Sequence, residues 1–541
     1  MSLMTLPRRR PSFVVLVRKR ALASAAALLL CPAAGIYAPP ALAQINLPSL
    51  GDSVSEGLGV GTERRIGDQI MREIRVDPDY LDDPLLLEYI QQLWAPLMAA
   101  ARQNGHIVPE TNERFAWEIF LVRDRNVNAF ALPGGFVGVH LGLIAMTTSR
   151  DELASVMAHE LSHVTQRHVA RRIASDSRQS MMALAGMLVG LLAAARSSSP
   201  DAANAVLVGS QAVAAQGQLN FSRDMEREAD RVGYGLLTGA GFATSGMASM
   251  FEKLDQAYHL NDSGGYPYLR THPMTSERIG DARERLATGP SVPPQSSLEH
   301  ALMQARAKVL MDARAEAWQQ LQALDAGVRQ PGVGERLSAL YASAFASMKM
   351  RNWPRAETAL NSAQAVADLI SGEPRVHRAL SLLRAELALA RAQPLQGQQA
   401  LLPLAGDRSR PVVLQRVQLA LAGDDRAQLQ QSADTLQTWV TLDRHDALAW
   451  GLLAQLWERL DHPLRSVRAQ AETRVALGDI VGAIDRLRSG IRLSRSREAD
   501  QVEAAVLESR LRALLAARRQ ELQDLNPRRE IPAGVDEPVT R

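Results

Sequence analysis

The chain has 541 residues, 46% of them hydrophobic and only 4% aromatic, so it is long enough for two or three folded units with packed helical cores. Its 61 basic and 58 acidic side chains leave a formal net charge of +3, with no basic stripe interleaved by aromatics, which argues against a nucleic-acid-binding design. The single cysteine, Cys31, excludes disulfide staples and thiolate metal sites from the chain that follows it.

Part of the basic excess lies in the first 20 residues, as Arg8, Arg9, Arg10, Arg18, Lys19 and Arg20. An apolar run from Ala21 to Leu30 follows, then Ala41-Leu42-Ala43-Gln44. A charged start, a short apolar segment and a small-x-small site predict a signal peptide over 1–43, cut after Ala43. A membrane anchor fits less well, because a span needs ~20 apolar residues and Pro32, Pro39 and Pro40 interrupt this one. Leu30 before Cys31 is a poor lipoprotein cleavage site. The mature chain would carry no thiol, which suits the oxidising periplasm.

Residues 44–62 are rich in Gly, Ser and Pro and predict an extended arm. From Glu63 to about Arg102 apolar residues recur at helical spacing, broken around Asp77-Pro78-Asp79 and Asp83-Pro84. Phe115 to Arg123 alternates and predicts a strand, and Asn128 to His140 predicts a second one entered through a tight Pro133-Gly134-Gly135 turn. A helix around Leu143–Met146 and a long helix from Asp151 to about Ile173 come next. Residues 181–195 are strongly apolar yet short for a span, and predict a buried helix, with a lid as the alternative. A Pro- and Ser-rich linker over 289–297 closes this part.

Beyond the linker the pattern is almost wholly helical and it repeats. Trp450, Leu453, Ala454 and Trp457 fit the first helix of a tetratricopeptide repeat, and Ala344/Ala356 and Ala471/Ala483 show the small-to-small spacing of paired repeat helices. Asn352-Trp353 and Gly478-Asp479 stand where the turns between them belong. The predicted fold is therefore mostly α (α+β): a first domain with a small β-sheet over 44–290, then a tetratricopeptide-repeat-like helical solenoid over 300–520. Residues 521–541 are expected to form a tail without order.

The chemistry concentrates in His159-Glu160-Leu161-Ser162-His163. On a helix this spacing puts His159 and His163 one turn apart on one face, able to reach one Zn2+ ion, with Glu160 angled toward a bound water. The flanking Val156, Met157, Ala158, Leu161 and Val164 are apolar, so these polar side chains would be costly there without a ligand. A catalytic zinc needs a third protein ligand. The segment Glu226-Arg227-Glu228-Ala229-Asp230 supplies candidates, with Glu226 and Asp230 sharing a face. Glu226 is the expected ligand, Glu228 the alternative, and Asp230 is placed to orient a ligand histidine.

The histidine motif followed by Glu226 and Asp230 resembles the Ste24/HtpX family of zinc peptidases, as do Asn128-Ala129-Phe130-Ala131-Leu132-Pro133-Gly134-Gly135 and the stretch from Thr271 to Ile279. The resemblance implies catalytic Glu160 and Asp230, the latter as proton donor, and an edge strand that pairs with substrate, making Asn128, Ala129, Phe130, Gly134, Gly135 and Arg278 substrate-binding candidates. It also implies that His272 can take the fourth zinc position and hold the enzyme latent. With a signal peptide and repeats, the chain is most similar to the periplasmic branch of that family. That branch implies an endopeptidase of outer-membrane protein quality control, whose partners are misassembled β-barrel proteins and, through the repeats, the β-barrel assembly machinery. The competing expectation is a chaperone or assembly factor in which proteolysis is secondary.

Overall fold

A computed structural model describes residues 58–175, 222–260, 267–289, 292–294, 297–327, 332–495 and 500–525. The predicted signal peptide, the arm up to residue 57, the apolar stretch 181–195 and residues 526–541 of the expected tail lie outside the described residues, while 521–525 of that tail belong to the last helix. Among the described residues no helix is long and apolar enough to cross a membrane.

The chain enters helix α1 (Val60–Arg75), which begins three residues before the predicted start at Glu63 and shortens the expected arm. Strand β1 (Tyr80–Leu81) and helix α2 (Pro84–Gln103) follow, with Asp83 capping α2 by accepting from the Leu86 amide at 3.0 Å. A short α3 (Pro109–Arg114) leads to β2 (Glu118–Val122). That strand is shorter than the alternation from Phe115 predicts, because Trp117 turns left-handed (φ 49°) and donates its indole N–H to the Thr111 carbonyl. Residues 128–140 are two strands rather than one. β3 (Ala129–Leu132) and β4 (Phe136–His140) form a hairpin whose turn is made by Gly134 (φ 79°) and Gly135 (φ 92°). Only glycine adopts such angles without strain.

The sheet runs β1-β2-β4-β3, with β2 and β4 parallel and β3 antiparallel to β4 at one edge. Alternate side chains divide between two layers, as the two-residue period of a strand requires. Phe120, Val122, Leu132 and Phe136 pack with Ile70, Met71 and Ile74 of α1, while Ile119, Leu121, Val137 and Val139 join the main core with α2. Gly67 of α1 lies so close to the hairpin that an added Cβ would overlap the Pro133 carbonyl, so the hairpin turn is pinned under α1.

The predicted helix from Asp151 to Ile173 is two helices. After α4 (Leu141–Met146), α5 (Arg150–Thr165) stops, Arg167 adopts a left-handed conformation (φ 52°), and α6 (His168–Ser175) restarts in a new direction. Then come α7 (Arg223–Gly239), α8 (Ser245–Leu260), α9 (Pro267–Thr271) and α10 (Ser276–Thr288).

The rest is helical: α11 (Leu298–Leu310), α12 (Ala315–Gln322), α13 (Leu324–Gly327), α14 (Val333–Lys349), α15 (Trp353–Asp368), α16 (Pro374–Ala390), α17 (Pro394–Ala400), α18 (Arg410–Leu421), α19 (Arg426–Leu442), α20 (Ala447–Arg459), α21 (Pro463–Ala476), α22 (Ile480–Ser494) and α23 (Gln501–Leu525). The predicted turns are in place. Asn352 caps α15, Gly478 is left-handed (φ 85°), and Asp479 caps α22. Ala344, Ala356, Ala471 and Ala483 are all buried.

One hydrophobic cluster runs from Val60 through the sheet and α5 into the helical region as far as Leu419. Polar contacts reinforce that junction. Arg306 binds Asp83 in bidentate fashion (2.8 and 2.7 Å) and also Glu386. Arg378 joins Glu88 to Asp407, and Arg410 joins Asp82 to Asp446, each at 2.7 Å. Three arginines of the helical region thus each link an acid at the start of α2 to an acid of their own region.

His300, buried at 2% exposure, sits in the same seam, 2.7 Å from the Tyr89 hydroxyl and 3.1 Å from the Thr147 carbonyl. Burial pushes its pKa down to about 4 against the weaker pull of the Thr147 hydrogen bond. The unfolded chain takes up a proton near pH 6.5 that the folded chain refuses, so stability is full above that pH and falls as the pH drops toward 4. The shift corresponds to about 3 kcal/mol. Urea unfolding between pH 7.5 and 4.5 is expected to show that loss, and His300→Gln to remove the His300 share of it, leaving the part that the buried His163 and His168 contribute in the same direction.

Candidate metal centre

Residues 151–164 of α5 are all buried, so the motif helix runs through the core instead of along a surface. Ser149 caps it by accepting from the Glu152 amide. On α7, Glu226, Asp230 and Gly233 recur at i, i+4 and i+7 and share one face. Gly233 brings that face close: a Cβ there would lie 3.3 Å from the His159 nitrogen and the Ala158 carbonyl carbon.

The two helices bring the motif side chains together. His159 Nε2 and His163 Nε2 are 3.0 Å apart, and each lies 3.5 Å from a Glu226 carboxylate oxygen. His272, just after α9, completes the group, its Nδ1 2.9 Å from Glu226 Oε1 and 3.3 Å from His159 Nε2. Its ring stacks on Tyr268 with centroids 4.7 Å apart. One donor atom from each of His159, His163, Glu226 and His272 lies within 4.8 Å of all the others, and all four residues are buried. Glu228 takes no part. It meets His168 Nε2 at 3.1 Å and Arg171 at 2.9 Å, outside the cluster.

Asp230 Oδ1 stands 2.9 Å from His159 Nδ1. Arg278 is 3% exposed and binds Asp230 through Nε and Nη2 at 2.7 and 2.8 Å, with Nη1 2.9 Å from Glu226 Oε2. Its guanidinium is committed to the carboxylates behind the histidines. Asn128 precedes the edge strand β3 with a buried, unpartnered Oδ1, and Ala129 and Phe130 lie on that strand, which packs beside α5. Gly134 and Gly135 sit at the hairpin turn, where their carbonyls already accept from the Ala116 and Glu118 amides of the β2 end.

The electrostatics of the cluster are those of shared protons. Burial alone would lower the His159 pKa, yet hydrogen bonds to Asp230 and Glu226 outweigh it and raise it to about 10. Burial and the neighbouring His159 cation hold His163 well below its usual range. Burial opposes ionisation of Glu226, but His272 and His159 keep its carboxyl well below the usual carboxylate range.

Glu160 stands apart. Its side chain is wholly buried, neither carboxylate oxygen has a hydrogen-bond partner, and His272 Nε2 lies 3.6 Å from Oε1. An unpartnered buried carboxylate is expensive. Two imidazole Nε2 atoms converging with a carboxylate, and an orphaned glutamate beside them, fit a metal ion and a water.

The comparisons agree with this chemistry. Residues 88–286 match peptidase family M48. The β-barrel assembly-enhancing protease of Escherichia coli is 31% identical over 446 residues, spanning 82% of this chain and 86% of its own. A Vibrio cholerae protein assigned to the same group is 40% identical over 284 residues, 51% of this chain and 56% of its own length. A mitochondrial metalloendopeptidase of Schizosaccharomyces pombe is 34% identical over 170 residues, 31% of this chain and 47% of its own.

The chain belongs to peptidase family M48. It is a metalloprotease, built as an M48 protease region with a small sheet followed by a helical repeat region. The sequence placed Arg278 near substrate and left His168 unremarked. The signal for both was weak, since each depends on a distant segment, Asp230 for one and Glu228 for the other. Breaking the Arg278 pair leaves buried carboxylates uncompensated, so Arg278→Met is expected to cost about 3–5 kcal/mol in urea unfolding. Arg278→Lys should recover only part, because an ammonium cannot reproduce the bidentate contact.

Proposed function

We propose that this chain is an exported, periplasmic zinc metalloendopeptidase of outer-membrane protein quality control, which binds and degrades stalled or misassembled β-barrel proteins. The buried, unpartnered Glu160 carboxylate beside the His159, His163 and Glu226 donors carries the catalytic part of this reading. The name of the E. coli relative supports the choice of client. A cleft of about 740 Å³ between α2, β2 and the helical region, walled by Tyr80, Trp94, Trp117 and Trp439, supports a role for the repeats in holding aromatic-rich, unfolded segments.

In this reading His159, His163 and Glu226 hold zinc, and Asp230 fixes His159 by accepting from its Nδ1–H. Zinc supplies Lewis-acid activation of water and of the peptide carbonyl when bound. Glu160 accepts the proton of the attacking water and passes it to the leaving amide nitrogen, while Asp230, held ionised by Arg278, stays an acceptor and orients His159. The substrate lies extended along the edge strand β3, at Asn128, Ala129 and Phe130; the Asn128 carbonyl is taken by the His140 amide, so the backbone of Ala129, turned away from β4, is what can extend the sheet. We assign Gly134 and Gly135 to shaping that hairpin, and Arg278 to holding the carboxylates. His272 would offer that zinc a further donor and so keep the enzyme latent. The division into a protease domain over 44–290 and a repeat domain over 300–520 belongs to the same proposal.

Glu160→Gln should retain one zinc per chain, by elemental analysis, while casein hydrolysis falls 10²–10⁴-fold, the span of a lost general base. Persistence of hydrolysis with zinc unchanged would overturn the assignment. His272→Ala should raise the casein rate of the full chain at equal zinc content; an unchanged or lower rate removes the latency role. A chiefly chaperone-like protein, docking on the β-barrel assembly machinery through its repeats, would support outer-membrane assembly fully as the Glu160→Gln variant.

A further inference from the structure

His163 has a second neighbour that the proposed zinc chemistry does not use. Its Nε2 faces the metal cluster, 3.0 Å from His159 Nε2, so Nδ1 is the atom left to fix the ring. That Nδ1 lies 2.9 Å from Nδ1 of His168. Two ring nitrogens at this distance need one proton between them. His168 Nε2 is 3.1 Å from Glu228 Oε2, and Arg171 Nη1 holds the same oxygen at 2.9 Å. The carboxylate accepts only, so Nε2 of His168 carries a proton and donates it. Nδ1 of His168 is then the acceptor for the Nδ1–H of His163. The proton arrangement closes without conflict when His163 presents a bare Nε2 to the metal.

The backbone is shaped to make this contact. In an unbroken α-helix a residue five positions on lies about 140° around the axis and cannot reach its predecessor's ring. The helix breaks at Arg167, whose left-handed φ of 52° is costly for a side chain with a Cβ. Arg167 is held there by Glu63, buried at 2% exposure, at 2.9 Å, and by the Leu58 carbonyl at 2.6 Å. The restart at α6 returns His168 to His163, fully buried. Strain at a residue clamped from another helix, spent to deliver one imidazole, suits a positioning role.

We infer that His168, locked in one tautomer by Glu228 and Arg171, is the positioning residue of His163, as Asp230 is of His159. The inference rests on the zinc reading above. It makes the two ligand histidines unequal: one is oriented by a carboxylate, the other by a neutral imidazole that a carboxylate orients in turn.

Zinc affinity of the full chain, measured by competition with a chromophoric chelator, tests this without reference to turnover. Loss of an outer partner of a metal-bound histidine typically weakens binding 10–100-fold, which is the expectation for His168→Ala. His168→Asn, whose Oδ1 can stand near the lost Nδ1 and accept the same hydrogen bond, should recover most of the affinity. A purely structural void would not be rescued by that choice of atom. Glu228→Ala should weaken zinc several-fold, leaving the imidazole in place but its tautomer free. Wild-type affinity in a folded His168→Ala chain, or His168→Asn no tighter than alanine, overturns the inference. Should His168→Ala fail to fold by circular dichroism, Glu228→Ala decides, and unchanged affinity there overturns it equally. A wild-type chain that takes up no zinc would sink the proposed function as well, so the two failures are told apart.

Discussion

Glu226 and Asp230 stand one turn apart on a buried face of α7, and Arg278 is what makes that arrangement tolerable. Like charges at the ~6 Å spacing of such neighbours repel by roughly 3 kcal/mol at an effective dielectric constant near 20. The guanidinium meets both carboxylates, and its remaining hydrogen bond goes to the Pro273 carbonyl, next to His272. One side chain therefore settles the charge of α7, the tautomer of His159 through Asp230, and the path of the chain after α9. The histidines can converge only because the acids behind them are already neutralised.

Convergence also needs helices that approach closely around a rigid floor. Gly233 removes the side chain that would hold α7 away from His159, and Gly246 does the same for α8 against the Asp151 backbone. The sheet sorts its alternate residues between α1 on one side and the α2–α5 layer on the other, leaving β3 as an edge beside the motif helix. Precision at the site thus comes from elements packed on both sides, which is how a fixed ligand geometry is kept without a preformed polar cavity.

Much of this was legible in the sequence, and the reason is local chemistry. The histidine motif, the Glu226/Asp230 spacing, the caps at Asp83, Asn352 and Asp479 and the turn at Gly134-Gly135 depend on near neighbours in the chain. The misread features depend on distant partners. The helix looked continuous to Ile173 because nothing near Arg167 announces its left-handed turn; Glu63 and Leu58, a hundred residues earlier, hold it. At 128–140 the turn was legible, and what was not drawn from it was the chain reversal that pairs β3 with β4 as a hairpin. Arg278 became a substrate-binding candidate through the family resemblance alone; the carboxylates it meets lie 48 and 52 residues back, beyond any local signal.

The arginines that seat the helical region on α2 bear on how such a molecule can change over generations. Asp82, Asp83 and Glu88 are matched by Arg410, Arg306 and Arg378, and each arginine is matched again by Asp446, Glu386 or Asp407 within the array. A protease region joined to an array without those arginines would leave Asp82, Asp83 and Glu88 without these partners at the seam. Exchange of either half for a module of other origin therefore carries a cost in stability unless the matching residues travel with it.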